Sequence, residues 1–144
     1  MTGKVQKIWI KRMAGGPMDE VDEAILIKEK GIVHNADQGG KRQVTFLEED
    51  VWSKLMDELN ANLDPATRRA NFLVKGINLK NSRGKILQIG ECEVKIHGET
   101  KPCRQMDEAL PGLKDAMFPD WGGGAFGTII SGGKVKQGDE IVFK

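Results

Sequence analysis

Hydrophobic positions in this chain fall into short runs, separated by polar stretches rich in glycine. Residues 4–11 hold Val5, Ile8, Trp9 and Ile10 and predict a strand, although the alternation is broken and does not say which face turns inward. Ala14-Gly15-Gly16-Pro17 ends that run. A second apolar run covers 24–28 and stops at Gly31; residues 32–42 are polar, carry Gly39-Gly40 and read as a loop. Residues 43–47 predict another strand. The period then changes. Val51, Trp52, Leu55 and Leu59 share one face of a helix predicted over 48–60, with Glu48, Glu49 and Asp50 at its positive N-terminal end. Asp64-Pro65 marks a second, short helical start, with Asp as cap and Pro at the first helical position. By residues 71–74 the pattern is β-like again.

Strands follow at 85–89 and 92–96, on either side of Gly90. In the second of these Cys92, Val94 and Ile96 alternate with Glu93 and Lys95, which turns Cys92 inward. Helical pieces are predicted at 105–110, stopped by Pro111-Gly112, and at 113–118, before Pro119. The Trp121-Gly122-Gly123-Gly124 stretch reads as a flexible loop, and 121–127 as a lid over a barrel mouth. Runs at 125–130, 134–135 and 140–143 complete a pattern of about eight or nine short strands with two or three short flanking α-helices. The fold class is mainly β. Closing such strands into a β-barrel removes their exposed edges.

The length of 144 residues suits a single domain, 1–144, with a substantial core. Its 18 glycines fit a turn-rich β protein. Charged residues make up 30% of the chain, yet the net charge is only +1, which argues against a dedicated nucleic-acid or membrane-surface protein. No apolar run approaches the roughly 20 residues that span a bilayer, and no signal-peptide pattern is visible at residues 1–10. Two cysteines without a disulfide framework fit a reducing, cytoplasmic setting.

Candidate chemistry is concentrated between Arg68 and Cys103. Cys103 follows Pro102, which suits a position just past a strand end, and Lys101 and Arg104 supply positive charge that favours a thiolate. The residues alone leave Cys103 open as a nucleophile, a soft metal ligand or an ordinary loop residue. Arg68, Arg69 and Asn71 offer guanidinium forks and an amide to a phosphate or a heterocycle edge; if extended, Arg69 and Asn71 share a face. They read equally as the solvated basic end of a helix. Gly39-Gly40-Lys41-Arg42 allows close backbone approach and carries two cations suited to an anion, or is a charged hairpin; it lacks the spacing of a phosphate-binding P-loop. Cys92 reads as a buried, inert thiol. No Cys-x-x-Cys pair points to structural zinc, and neither His34 nor His97 has the partners of a hydrolase triad.

The motifs R-x-N-F-L-V-x-G-I-x-L from Arg69, G-x-x-L-x-I-G from Gly84 and P-C at Pro102-Cys103 resemble the MOSC domain. G-I-V-H-N-A-D-Q-G-G-K-R-Q-V-T, the later P-G-L and the closing G-G-K-V-K-Q-G-D-E-I extend that resemblance over nearly the whole chain. The domain forms the C-terminal part of molybdenum-cofactor sulfurases and also occurs as small stand-alone proteins. The resemblance implies a β-barrel with small flanking helices and a molybdopterin-type molybdenum cofactor as the small-molecule partner. It puts the family's persulfide-carrying or molybdenum-ligating cysteine on Cys103, and the cofactor contacts on Arg69 and Asn71, with Arg68, Lys41 and Arg42 beside them. Two functions follow from it: a molybdenum oxidoreductase that reduces N-hydroxylated compounds, or a non-enzymatic sulfur carrier or delivery module. A redox protein or a cysteine desulfurase would be the partner. Three departures favour a third reading, a barrel-shaped interaction domain without a working site: His34-Asn35 where relatives commonly have Gly-Asp, Met106 where many have a second cysteine or polar residue, and Gly122 where an arginine is frequent.

Overall fold

A computed structural model describes residues 2–144. Its strands are β1 (Gly3–Lys11), β2 (Met18–Val21), β3 (Glu23–Ile27), β4 (Gly31–Ile32), β5 (Val44–Glu48), β6 (Phe72–Lys75), β7 (Ile86–Ile89), β8 (Cys92–Glu99), β9 (Ala125–Ser131), β10 (Gly133–Lys136) and β11 (Glu140–Phe143). The helices are α1 (Glu49–Glu58), α2 (Arg104–Ala109) and α3 (Leu113–Met117). Seven strands close into a barrel in the order β11-β7-β8-β9-β5-β6-β1, with β1 returning to pair with β11. All neighbours are antiparallel except β5 and β6, whose parallel register sets Phe46 beside Phe72. A parallel pair needs a crossover, and α1 supplies it. β2 hangs on β1 outside the closed ring, and β10, β3 and β4 form a separate small sheet.

The broken alternation of the first strand has a structural cause. A bulge between Val5 and Lys7 shifts the phase, so Val5, Ile8 and Ile10 all enter the barrel interior. Trp9 points the other way, into a second core between barrel and helices. Leu47 and Leu73 join it from β5 and β6, Trp52, Leu55 and Met56 from α1, Met106 from α2, and Leu113 and Met117 from α3. Where these strands are covered on both faces, at 8–10, 46–47 and 72–74, their sequences read as continuous apolar runs. Inside the barrel, Phe46 and Phe72 stack with ring centroids 5.5 Å apart.

The predicted mainly β fold with short helices holds, with two additions. β2 and β4 are extra strands, too short or too polar for period-two patterning to show. The Asp64-Pro65 start yields a single 3-10 turn, Pro65–Arg68, capped by Asp64 Oδ1 accepting from the Ala66 amide at 2.8 Å.

Glu48 sits where β5 passes into α1 and accepts from the Leu79 amide at 3.3 Å. Burial raises its carboxyl pKa above the ordinary 4.5, the Leu79 bond opposes that, and Asp50 adds to it. A folded-state carboxyl pKa above its unfolded value favours the fold at low pH, and that contribution is lost as pH rises through the shifted value. Glu48→Gln keeps an acceptor for Leu79. Chemical denaturation at a series of pH values should show the variant gaining stability over the wild type between pH 4 and 7; an unchanged difference across that range would contradict the assignment.

Candidate functional site

The end of β8, the approaches to β6 and β9, the end of β1 and the start of β5 meet around a cleft of about 390 Å³. Lys11, Arg42, Arg68, Arg69 and Lys101 line it, against one carboxylate, Asp37. Asn35, Thr45, Asn71, Cys103 and Gln105 add polar groups. A chain with a net charge of +1 therefore collects five cations at one concavity, where a low-dielectric wall focuses their field on an anion.

Cys103 caps the start of α2 in extended conformation, and its side chain is exposed. Its nearest polar partner is Gln105 Oε1, 3.9 Å from the sulfur. Pro102 is buried beneath it. The segment Thr100–Cys103 is laced to the glycine stretch. The Thr100 amide donates to the Gly124 carbonyl at 2.9 Å, and its hydroxyl to the Gly123 carbonyl at 2.6 Å. Side chains have no room there: a Cβ on Gly123 would strike the Thr100 carbonyl, and one on Gly124 the Phe46 carbonyl. Residues 121–125 are buried, and Trp121 packs into the barrel core. The expected flexible lid is instead a fixed wall.

Arg68 is half-buried and donates through Nε to Gly123 O at 3.0 Å, and through Nη2 to Thr100 O at 2.9 Å and Lys101 O at 3.4 Å. Burial lowers its pKa, Cys103 opposes that electrostatically, and Arg42 reinforces the lowering. The Arg68 guanidinium thus lies within the electrostatic reach of both the sulfur and Arg42. Arg69 ends the 3-10 turn in left-handed conformation, φ 65°, and donates from Nη2 to the Gly16 carbonyl. It is not on a strand, so the shared face with Asn71 does not arise; the reversal brings both into the cleft by another route. Asn71 is buried, and its amide is engaged on both ends. Oδ1 accepts from the Thr45 amide at 3.1 Å and hydroxyl at 3.2 Å, while Nδ2 donates to Trp9 O at 3.2 Å and Asn35 Oδ1 at 3.3 Å.

Arg42 is exposed and packs its guanidinium 5.2 Å from the centroid of the Phe126 ring. Lys41 stands outside the lining of the cleft; its charge falls instead near His97, whose pKa is lowered by burial, then Lys95, then Lys41, against an opposing effect of Glu29. The structure therefore gathers Arg42, Arg68, Arg69, Asn71 and Cys103, and leaves Lys41 aside. Lys11, Thr45 and Asp37 were not legible as site residues. Lys11 Nζ pairs with Asp37 Oδ2 at 3.0 Å, but a lysine closing a strand and an aspartate in a polar loop carry no distinguishing spacing.

Each departure has a local reason. Asn35 Oδ1 accepts from the Lys11 amide at 2.9 Å as well as from Asn71, so it ties the loop to β1. Met106 is buried in the helix-side core, where a polar side chain would lack a partner. A Cβ at Gly122 would press on the Met117 backbone, so an arginine does not fit there.

Among the described residues no three His, Cys, Asp or Glu side chains are grouped to hold a metal ion. The cleft offers one thiol, Cys103, among cations and amides, and the thioether of Met18. Such a donor set fits a metal that arrives with its own anionic organic chelate better than a bare ion. Among the described residues no helix is long and apolar enough to cross a membrane.

Comparison with known proteins matches the MOSC domain family model over residues 15–142. Solved structures share the fold at low identity. The YUAD protein from Bacillus subtilis is 18% identical, with TM-score 0.82 over 98% of this chain and 94% of that one. YiiM from Escherichia coli is 18% identical, with TM-score 0.77 over 100% and 70%. YiiM from Geobacillus stearothermophilus is 15% identical, with TM-score 0.78 over 99% and 75%. No curated protein matches by sequence.

Proposed function

Because this chain belongs to the MOSC domain family, we propose that it binds the molybdenum cofactor in the Cys103 cleft and handles its metal or its sulfur there. The observation that carries this reading is the opening of an exposed cysteine onto the same cleft as Arg42, Arg68 and Arg69. Cys103 would supply the protein's sulfur to molybdenum. Arg42, Arg69, Lys11 and Lys101 would offset the charge of the cofactor's phosphate, with Lys41 adding to the field on the approach. Asp37 would accept from ring N–H groups. Asn71 and Arg68 would act by holding this floor and wall in place. When bound, the cofactor supplies two-electron redox chemistry at molybdenum, and reduction of N-hydroxylated compounds is the reaction we assign to it, with a redox protein as electron source.

Molybdenum and pterin should be measured in protein purified anaerobically from a cofactor-producing host, beside Cys103→Ser. Near-stoichiometric molybdenum that falls at least tenfold in the variant is the expected result. Equal content in both would remove Cys103 from the metal.

One observation favours a second reading: the Cys103 sulfur is exposed and held only by a long contact to Gln105. Such an accessible sulfur suits a sulfur carrier. It would attack the sulfane sulfur of a cysteine desulfurase persulfide, forming a new S–S bond and releasing the desulfurase thiolate. Intact mass after incubation with a desulfurase and cysteine should then show one added sulfur, lost in Cys103→Ser. Neither molybdenum nor added sulfur would leave the interaction-domain reading standing.

A further inference from the structure

We infer that Arg68 is a positioning residue, whose forked guanidinium clips the strand-end segment bearing Cys103 to the Gly123 carbonyl and so fixes where the sulfur stands. The inference concerns the placement of Cys103 alone and holds whichever partner the sulfur takes.

The geometry is that of a fork used on the protein's own backbone. Nε reaches Gly123 O, while Nη2 spans Thr100 O and Lys101 O. Planar guanidinium donors have a fixed spread, so two segments held by one fork are held at a fixed separation. The three carbonyls lie in loops, where no strand ladder satisfies them. Thr100 repeats the connection independently through its hydroxyl and amide. Lys101 and Cys103 are separated only by Pro102, whose ring is buried and whose φ is fixed, so the constraint at Lys101 carries to Cys103 with little slack.

The wall on the other side is equally determined. Asp120 and Trp121 both have left-handed backbone, φ 55° and 61°, just before the glycines. For residues other than glycine such conformations are strained and persist where the surroundings hold them. Trp121 is held by the barrel core, while Asp120, of a residue type that tolerates this conformation, pairs with Lys80 at the surface at 3.0 Å. The turn at 120–121 brings the Gly123 carbonyl to the point where it accepts from both the Arg68 fork and the Thr100 hydroxyl. If Arg68 served only as a positive charge toward a ligand, a lysine would serve as well. A lysine cannot reproduce the fork, and that difference separates a clip from a counter-charge.

The test uses the exposed thiol as its own probe. A nitroxide attached to Cys103 reports local mobility by electron paramagnetic resonance, with thermal melting run in parallel. Wild type should give a single restricted spectrum. Arg68→Met and Arg68→Lys should both add a mobile component of at least a third of the signal, and Thr100→Val, which loses one of the hydrogen bonds to Gly123, a smaller one. Ser82→Ala breaks a buried hydrogen bond to the Leu79 carbonyl, away from the cleft, and serves as the control for general destabilisation; its spectrum should stay restricted. If Arg68→Met does not fold, Arg68→Lys and Thr100→Val decide. A wild-type spectrum in Arg68→Lys would overturn the inference, as would equal mobility in Ser82→Ala.

Discussion

Asn71→Leu should be the most damaging single substitution at the cleft, costing on the order of 3 kcal/mol and lowering Tm by roughly 10 °C. Leucine has the same branching as asparagine and is somewhat larger, so the change removes hydrogen bonds without opening a cavity. Four are lost together: two accepted from Thr45, one donated to Trp9 O and one to Asn35 Oδ1. Each buried group left behind carries a desolvation penalty of about 1–3 kcal/mol, moderated where another partner remains. Thr45 Oγ1 keeps the Asn71 amide, for example, at 2.9 Å. Asn71→Asp should fail almost as badly, because an ionised carboxylate cannot donate to Trp9 O or Asn35 Oδ1. Arg69→Gln, two positions away, loses one bond at a half-exposed site and should cost under about 1 kcal/mol. Urea denaturation of the three variants gives the ranking. An Asn71→Leu loss below that of Arg69→Gln would show that the amide network carries no stability.

The native protein should present one reactive thiol, and the unfolded protein two. Cys92 has no exposed surface, and its thiol is pushed up to about 11 by burial, then by Glu91 and Asp139. At pH 7.5 that leaves about one thiolate in three thousand, before the barrier of access is counted. Cys103 is exposed at the cleft. With an aromatic disulfide reagent the first equivalent should react within minutes at neutral pH. The second should wait for denaturant, slower by at least a thousandfold. Cys103→Ser should leave no fast equivalent. A rapid second equivalent in folded wild type would mean that the barrel interior opens on that timescale.

Much of this fold could be read in the sequence because burial leaves a periodic trace. The one-sided face of α1, the inward Cys92-Val94-Ile96 series and the Asp64-Pro65 start all rest on local spacing, and each has its counterpart in the structure. The bulge in β1 and the polar strand β2 were hidden, since the first breaks the period and the second owes its pairing to β1 rather than to its own side chains. The site divides in the same way. Cys103, Arg42, Arg68, Arg69 and Asn71 carry distinctive chemistry in short motifs, but their meeting depends on the barrel's register, which no local pattern encodes. Their orientations were still less legible. Arg69 reaches the cleft through a left-handed turn, Arg68 faces backbone carbonyls and Asn71 faces its neighbours. A sequence shows that an arginine is present, and only the fold shows what its fork grips.

Cys103 and a group of cations share one cleft, an arrangement suited to an anion. Its most direct test compares the alkylation of Cys103 by iodoacetate and by iodoacetamide at one pH and low salt. The two reagents meet the same thiolate and differ in charge, so the ratio of their rates cancels the thiolate fraction and reports the local field. Relative to a cysteine in a neutral peptide, that ratio should be raised by about tenfold in the native protein, fall severalfold in Arg42→Gln and approach the peptide value in high salt. A ratio equal to the peptide's at low salt would place Cys103 outside the field of the arginines and contradict the account.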